Sequence, residues 1–239
     1  MDTALIIMSR IPVEGRTKTR LMNFLTGKQC AELHKCFLKD IFSLCNELEK
    51  QMDIYLTYTA EDGPYEIIKH IVPEYIEAFS QWGRTLGDRM ANAIKYVKGK
   101  GYKKVLLIGT DIPHVQMEDI LLAVEVLKEK DVCLGPTYDG GYYMIGMKNI
   151  YEEIFENDIN WGNKTVLEGT IHKINSLGLT CGLGTKLYDI DTKEDLILLI
   201  KDFYFKEFKP CKYPESTLMF LKETNFSELV IGTLYSDNL

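Results

Sequence analysis

The sequence predicts an α/β fold of three layers, in which a mostly parallel sheet carries helices on both faces. Two observations lead to this prediction. Short apolar runs of strand length alternate with longer segments of helical periodicity from residue 4 to about residue 205. The run Val105-Leu106-Leu107-Ile108 is aliphatic without a break, as in a central parallel strand that is buried on both faces. Right-handed crossovers then distribute the helices between the two faces.

The predicted elements follow in chain order. The first strand is 4–8, and apolar residues recur at spacings of three and four along a helix at 29–50. Strands at 53–59 and 76–80 flank a short helical piece near 65–70. A helix at 86–97, the central strand at 105–108 and a helix at 117–128 come next. Strands at 132–134 and 142–147 and helices near 164–175 and 193–205 complete the pattern, and Thr192 with Asp195 resembles a capping box.

Composition sets limits on the class of protein. A chain of 239 residues with 46% hydrophobic content can bury a sizeable core, so we expect one domain at 1–206. The pattern loosens after this, and 207–239 is predicted to be a packing arm or a homodimer contact. The net charge of -7 argues against nucleic acid as a partner, since nucleic-acid binding usually depends on broad contacts to the phosphate backbone.

Cysteine and hydropathy patterns bear on location. The six cysteines include no C-x-x-C pair, and the opening apolar run is too short for the core of a signal peptide. No segment approaches eighteen consecutive apolar residues, so no membrane span is predicted. We therefore expect a cytoplasmic protein with free thiols.

A basic loop follows the first strand. Gly15, Arg16, Lys18 and Arg20 place three cations within five residues of an acidic chain. If the loop is extended, alternation puts all three cations on one side. Cationic side chains and backbone N–H groups that a glycine exposes are what a diphosphate or triphosphate needs, although a solvated turn has the same composition. The position of the loop directly after a strand favours phosphate binding.

Two acidic segments are candidates for a metal site. Asp111 ends the central strand beside Gly109 and Thr110, at the sheet edge where open α/β sheets bind ligands. Asp189 and Asp191 lie one residue apart, on one side of a predicted short strand. Mg²⁺ prefers oxygen ligands and commonly uses one or two carboxylates with substrate phosphates, so we predict Mg²⁺, or Mn²⁺, on Asp111 and Asp191. The alternative is that Asp111 only shapes a turn.

Two further loops are candidates for substrate contacts. The segment 135–143 offers Asp139, Gly140, Gly141 and Tyr142 to an acceptor, although Asp-Gly-Gly is also an ordinary hairpin turn. The loop 81–90 enters a helix and could receive a base or ribose, through three residues: Leu86, Gly87 and Arg89. Trp161 could lie over an acceptor or serve as a packing anchor. The four histidines are scattered and form neither metal-ligand spacing nor a nucleophile partnership.

Five ordered motifs between about residues 4 and 200 together resemble one family, DUF2064, whose members are also labelled rSAM/selenodomain-associated transferase 1 or glycosyltransferase-like. The motifs are I-P-V-E-G-R-T-K-T-R-L, L-G-D-R-M, L-I-G-T-D-I-P, L-G-P-T-Y-D-G-G-Y-Y-M-I-G and Y-D-I-D-T-K-E-D-L. The resemblance implies a nucleotide-diphospho-sugar transferase fold of the GT-A type, similar to 2-phospholactate guanylyltransferase. In those relatives, the loop after the first strand binds the triphosphate. This implies nucleotide contacts for Gly15, Arg16, Lys18 and Arg20 and a metal on Asp111 and Asp191.

Two departures from related enzymes stand out. The glycine-rich signature L-A-G-G-x-G-x-R-x-G-x-x-K of many nucleotidylyltransferases is absent, so the base remains open. The central strand ends in a single acid, whereas glycosyltransferases of this fold often carry Asp-x-Asp.

The sequence favours nucleotidylyl transfer from an NTP to a small phosphorylated or carboxylate acceptor. Lys18, Arg20 and Asp111 are the predicted catalytic residues, and Gly109 and Thr110 are further nucleotide contacts. Three cations suit a triphosphate better than a diphosphate that already carries Mg²⁺. The alternative is glycosyl transfer from a sugar nucleotide, and a third hypothesis is a nucleotide-binding protein without turnover.

Overall fold

A computed structural model of the protein describes residues 1–156, 165–205 and 214–224. The strands are β1 (Thr3–Arg10), β2 (Asp53–Thr59), β3 (Glu77–Ser80), β4 (Lys104–Ile108), β5 (Val132–Pro136), β6 (Tyr142–Met147) and β7 (Cys181–Leu183). The α-helices are α1 (Gly27–Leu48), α2 (Glu66–Lys69), α3 (Leu86–Lys98), α4 (Met117–Glu129), α5 (Val166–Ser176), α6 (Lys193–Phe205) and α7 (Glu215–Glu223). Short 3-10 helices lie at Thr19–Asn23 and Glu152–Phe155.

Within the described residues, seven strands form one sheet in the order β3-β2-β1-β4-β6-β5-β7. β6 runs antiparallel to both of its neighbours, β4 and β5, and the other pairings are parallel. The predicted mostly parallel sheet is confirmed. The five-residue connection between β5 and β6 is too short for a crossover, which explains why β6 reverses direction.

Helices cover both faces of the sheet. Leu5 and Ile7 of β1 point into an apolar cluster with α1 and α4, while Ala4 and Ile6 point into a second cluster with α3 and α5. This alternation is the period of two that a strand imposes on its side chains. The three-layer α/β/α architecture predicted from the sequence is therefore confirmed.

Capping interactions set the starts of two helices. Thr26 and Gln29 form a reciprocal capping box, so α1 begins at Gly27, two residues before the predicted start. Gly27 and Lys28 carry no apolar periodicity, and for that reason the pattern missed them. The capping box predicted at Thr192 is confirmed, because the Thr192 N–H donates to Asp195 Oδ2 at 2.8 Å and the Asp195 N–H donates to Thr192 Oγ1 at 3.3 Å.

A third apolar cluster ties the ends of the chain to α1. Leu21 and Leu25, which follow the basic loop, pack with Leu33 and Phe37 of α1, with Ile190 and α6, and with Leu221 of α7. This cluster fixes the loop and the segment around Ile190 on the same helix.

The described part of the C-terminal region is α7 with its flanking residues 214 and 224. Asp40, buried on α1, accepts hydrogen bonds from the N–H groups of Ser216 and Thr217 at 2.8 and 2.9 Å and from the Thr217 hydroxyl at 2.6 Å. α7 therefore packs on the domain, while the division at residue 206 and the homodimer contact stay predictions. Across the described ranges, every helix is too short or too polar to cross a bilayer.

Candidate functional site

A cleft of about 650 Å³ opens at the carboxyl ends of β1 and β4. Five cationic side chains line it, namely Arg10, Lys18, Arg20, Arg84 and Arg89. Three carboxylates line it as well, namely Asp111, Asp189 and Asp191. This edge of the sheet is where open α/β folds bind their ligands.

Lys18 lies between two of the acids. Its ammonium is 2.5 Å from Asp111 Oδ1 and 3.1 Å from Asp191 Oδ1, and it donates to the Ile190 carbonyl at 2.6 Å. The Lys18 side chain is only 3% exposed, whereas the acids are 44% and 37% exposed. Burial lowers the pKa of Lys18, but the charges of Asp111 and Asp191 more than offset this effect, so the pKa is raised and the ammonium stays protonated.

The basic loop is not extended, so the condition under which its three cations would share one side is not met. Gly15 adopts φ +74°, the Arg16 N–H closes a turn on the Val13 carbonyl at 3.0 Å, and the chain enters a 3-10 helix at Thr19. Lys18 itself is left-handed, with φ 50° and ψ 40°. Apolar anchoring of Leu21 in the third cluster favours this compact path over an extended one.

The three cations of the loop consequently point in different directions. Arg16 donates to the Glu61 carbonyl at 2.8 Å and, like Gly15, does not line the cleft. Arg20 is 71% exposed and lies 3.4 Å from Asp191 Oδ2. Lys18 faces the acids. The nucleotide roles predicted for these residues stay predictions, although only Lys18 and Arg20 reach the cleft.

Asp111 and the segment 188–191 are joined through the backbone. The Gly109 N–H donates to the Tyr143 carbonyl at 2.9 Å, which extends the β4–β6 pairing, and the Ile190 N–H donates to the Asp111 carbonyl at 2.8 Å. The short strand predicted at 188–192 does not form, because its backbone groups bond to Asp111 and to the helix cap rather than to a sheet neighbour. Asp189 and Asp191 nevertheless both line the cleft.

The three carboxylates form a strongly negative group. Burial, together with the negative charges of Asp111, Asp139 and Asp191, raises the pKa of Asp189 to about 7. Among the described residues, no set of three or more His, Cys, Asp and Glu side chains is arranged to hold a metal ion by itself. The remaining ligands of a metal on Asp111 and Asp191 would thus be water molecules or substrate oxygens, as is common for Mg²⁺.

Sequence reasoning missed the part played by His34. Its buried ring pairs through Nδ1 with Thr17 Oγ1 at 2.5 Å and through Nε2 with Thr110 Oγ1 at 3.2 Å and Ser9 Oγ at 3.3 Å. The Ser9 hydroxyl donates to the Arg10 carbonyl, so Ser9 accepts from Nε2–H and Nδ1 accepts from Thr17. Its place on the buried face of α1, between Leu33 and Phe37, was the signal available in the sequence.

A neutral imidazole thus links the neighbours of Lys18 and Asp111. Burial, then the charges of Lys18 and Arg10, lower the pKa of His34 to about 3, which keeps the ring neutral. Thr17 precedes Lys18, and Thr110 precedes Asp111. His34 therefore contacts the residue that precedes each member of the Lys18–Asp111 ion pair.

The loop before α3 forms the opposite wall. Asp88 Oδ2 accepts from the N–H groups of Arg84 and Thr85, both at 3.0 Å, and fixes the start of the helix. Leu86, 50% exposed, lines the cleft together with Arg89, which also contacts Glu61 at 3.2 Å. Gly87 is buried and does not line it. This wall combines an apolar surface with two guanidinium groups.

The predicted acceptor residues separate into three groups. Asp139, Gly140 and Gly141 form the hairpin loop between β5 and β6, where Asp139 Oδ1 accepts from the Thr137 hydroxyl at 2.5 Å and from the Gly141 N–H at 3.0 Å. The hairpin interpretation is confirmed, and these three do not line the cleft. Tyr142 does line it. Trp161 lies outside the described residues.

A family model matches the central part of the chain. The family is DUF2064, described as an uncharacterized protein conserved in bacteria, and the match covers residues 45–163. The predicted resemblance is confirmed. The matched range contains Asp111, while Lys18 and Asp191 lie on either side of it.

Similar proteins match over most of the chain. A 2-phospho-L-lactate guanylyltransferase from Methanobrevibacter smithii is 24% identical over 75% of this chain and 76% of its own. A crystal structure from Desulfovibrio desulfuricans G20 that bears the name nucleotide-diphospho-sugar transferase has a TM-score of 0.82 and 27% identity, covering 95% of this chain and 96% of that one. The structure of a cytidylyltransferase from Leptospira borgpetersenii has a TM-score of 0.53 and 15% identity, and the match covers 95% of this chain and 96% of that one. At this identity, the similarity supports the fold only.

Proposed function

We propose, from the match to DUF2064 and the chemistry of the cleft, that the chain is a transferase that moves a nucleotidyl group from an NTP to a small acceptor. One observation carries this proposal. A single cleft brings five cationic side chains together with a carboxylate pair that already holds a cation, the Lys18 ammonium. The relatives named 2-phospho-L-lactate guanylyltransferase support nucleotidyl transfer, and they supply no acceptor for this chain.

The residues fit a divalent cation. The Asp111 and Asp191 side chains are 44% and 37% exposed and line the cleft, and a carboxylate oxygen of each already contacts one cation, the Lys18 ammonium. The crowded charge of the three acids also favours a cation of higher charge. We propose that Asp111 and Asp191 hold Mg²⁺ or Mn²⁺. When bound, such an ion neutralises charge that develops on phosphate oxygens during transfer.

In the proposed reaction, an acceptor oxygen attacks the α-phosphorus of the NTP. The bond from the α-phosphorus to the bridging oxygen breaks, and pyrophosphate leaves with that oxygen. The protein contributes mainly positioning and charge neutralisation. Arg84 and Arg89 face the cleft from one wall and Arg10 from the floor, where a bidentate pair with Asp62 at 2.7 Å holds its guanidinium. These groups would bind phosphate oxygens, with Leu86 against the base or ribose.

The test is calorimetric titration with GTP, CTP, UTP and ATP, each with and without Mg²⁺. We expect metal-dependent binding of one triphosphate. Asp111→Asn should lower Mg²⁺-dependent activity with that nucleotide by roughly 10²-fold, because it removes a charge from the proposed metal site. Asp2→Asn is the matched control, since it makes the same change on an exposed side chain before β1. The proposal is contradicted if Asp111→Asn has the same Mg²⁺-dependent activity as Asp2→Asn.

Glycosyl transfer from a sugar nucleotide is the second candidate. The structure from D. desulfuricans, whose name specifies a nucleotide-diphospho-sugar transferase, favours it. The same acids and metal would then stabilise a departing diphosphate. Titration with UDP-glucose and GDP-mannose distinguishes the two: selective binding of a sugar nucleotide over every free triphosphate would favour glycosyl transfer.

A further inference from the structure

Lys18 occupies the place at which Asp111 and Asp191 would hold a cation. Resting on the proposed metal site, we propose that its ammonium is a resident counter-ion that a divalent cation must displace. Metal and nucleoside triphosphate would then bind cooperatively. Lys18 acts here as a positioning residue in the free protein and becomes a phosphate ligand in the loaded one.

The hydrogen bonds of Lys18 support this exchange. An ammonium has three N–H donors and no acceptor. Two donors are used in hydrogen bonds to Asp191 Oδ1 at 3.1 Å and the Ile190 carbonyl at 2.6 Å, and the ammonium also makes an ion-pair contact with Asp111 Oδ1 at 2.5 Å, with only 3% of the side chain exposed. A phosphate oxygen can therefore receive an N–H from Lys18 only if one of these partners is given up.

Charge makes simultaneous occupation unfavourable. A divalent cation on the same two carboxylate oxygens would lie within a few ångströms of the ammonium, where like charges repel strongly in a partly buried site. The Asp111 and Asp191 side chains are 44% and 37% exposed, whereas the Lys18 side chain is only 3% exposed. An incoming ion thus reaches the acids from the open side while Lys18 still neutralises them from the other.

The backbone of Lys18 is consistent with a residue held in place by its side chain. In the described part of the chain it is the only non-glycine residue with positive φ. Such a conformation is unfavourable for a residue that carries a side chain, and it persists where surrounding contacts impose it. The contacts here are the two acids, the Ile190 carbonyl and the Phe37 ring, whose centroid is 4.9 Å from the ammonium.

The exchange predicts positive coupling between the two ligands. A triphosphate offers the displaced ammonium new oxygen partners, and the ion takes over the neutralisation of Asp111 and Asp191. Each ligand thereby removes part of the cost of binding the other. Such coupling is reciprocal, and its usual size is about 5- to 150-fold in affinity.

The experiment measures Mn²⁺ alone, by electron paramagnetic resonance of the free ion, with no nucleotide present. Lys18→Met removes the resident charge and should bind Mn²⁺ about tenfold more tightly than the wild type, or more. Arg20→Met is the matched control, because Arg20 also contacts Asp191, at 3.4 Å, but is 71% exposed and leaves the oxygen held by Lys18 occupied. Its Mn²⁺ affinity should change by less than about threefold, as expected for an exposed ion pair.

A second variant and a second measurement distinguish the expected effect from misfolding of Lys18→Met. Lys18→Gln keeps a polar side chain at the site and should also bind Mn²⁺ more tightly. In thermal melts, both Lys18 variants should be less stable than the wild type in EDTA and gain more from Mn²⁺ than it does.

The proposal is overturned if both Lys18 variants fold and bind Mn²⁺ no more tightly than the wild type does. An equal gain in Mn²⁺ affinity in Arg20→Met would also overturn it. Failure of the proposed function is a separate outcome. If Mn²⁺ binding changes as expected but no triphosphate binds in the titrations, the counter-ion exchange is supported and the proposal of nucleotidyl transfer is rejected.

Discussion

At the scale of single residues, His34 is a neutral side chain between charged groups, and its neutrality makes stability depend on pH. The folded state holds the ring with a pKa near 3, while an unfolded histidine takes up its proton near pH 6.5. The stability that His34 contributes is therefore complete above pH 6.5 and declines as the pH falls from 6.5 towards 3. The slope is at most about 1.4 kcal/mol per pH unit.

We expect His34→Gln to flatten this acid dependence while lowering stability at pH 7.5 by about 1–3 kcal/mol, through loss of bonds to Thr17 and Thr110. Urea unfolding between pH 4.5 and 7.5 measures both effects. Burial lowers the pKa of His114 to about 4, so His114 contributes a similar dependence of stability on pH, and this contribution remains in the variant. The exposed His70, changed to Gln, is the control. Equal slopes in wild type and His34→Gln would contradict the assignment.

Local sequence identified the type of residue in the site but not the contacts. The basic loop and Asp111 stand out because their chemistry is concentrated in short segments. Lys18 and Asp191, however, are 173 positions apart, and no local pattern indicates that they pair. His34 does not stand out in the sequence because the other three histidines lie far from it along the chain, and its partners are three hydroxyl groups from distant segments.

At the scale of elements, Gly83 sets the entry of the chain into α3. Its φ is +134°, and a Cβ there would lie 2.6 Å from Asp88 Cβ and 2.9 Å from the Arg89 nitrogen. The first turn of α3, which contains Arg89 and follows Arg84, leaves no space for a side chain at position 83.

Gly83→Ala should therefore destabilise the protein by about 1–3 kcal/mol more than Gly101→Ala, the excess being the cost of overpacking. Gly101 is the matched control, because it also has positive φ, +102°, but a Cβ at that position would have no neighbouring atom within 4 Å. Urea midpoints of the two variants give the difference. Equal losses would mean that backbone conformation alone requires glycine at position 83.

Apolar periodicity predicted the major helices and strands because packing on both faces of a sheet imposes it directly. It did not encode strand direction, and the antiparallel β6 follows only from the shortness of the loop before it. The strand expected at 188–192 does not form for another reason. The backbone N–H groups of its residues bond to the loop at Asp111 and to the cap of α6 rather than to a neighbouring strand.

At the scale of the whole molecule, Asp40 connects the first helix to the last described one. The α7 start has no side-chain cap of its own, and Asp40 on α1 provides one from a position 176 residues away from Ser216. Asp40→Ala should lower the free energy of unfolding by about 1–2 kcal/mol, in the range of lost helix caps.

Urea denaturation measures this loss, and limited proteolysis should show faster cleavage near α7. Asp40→Asn retains an oxygen acceptor and should lose less. An Asp40→Ala variant with wild-type unfolding and cleavage would mean that apolar packing of Leu221 alone holds the helix.

The Lys18 bridge also bears on synthesis of the chain. Its partners Ile190 and Asp191 follow Lys18 by 172 and 173 residues, so this contact closes one of the longest loops in the described fold. A nascent or proteolysed chain that stops before residue 190 can complete β1 to β7 and their helices, yet it lacks one side of the bridge. Such fragments would carry the sheet without a finished cleft, and ligand binding would begin only as the final helices join the domain.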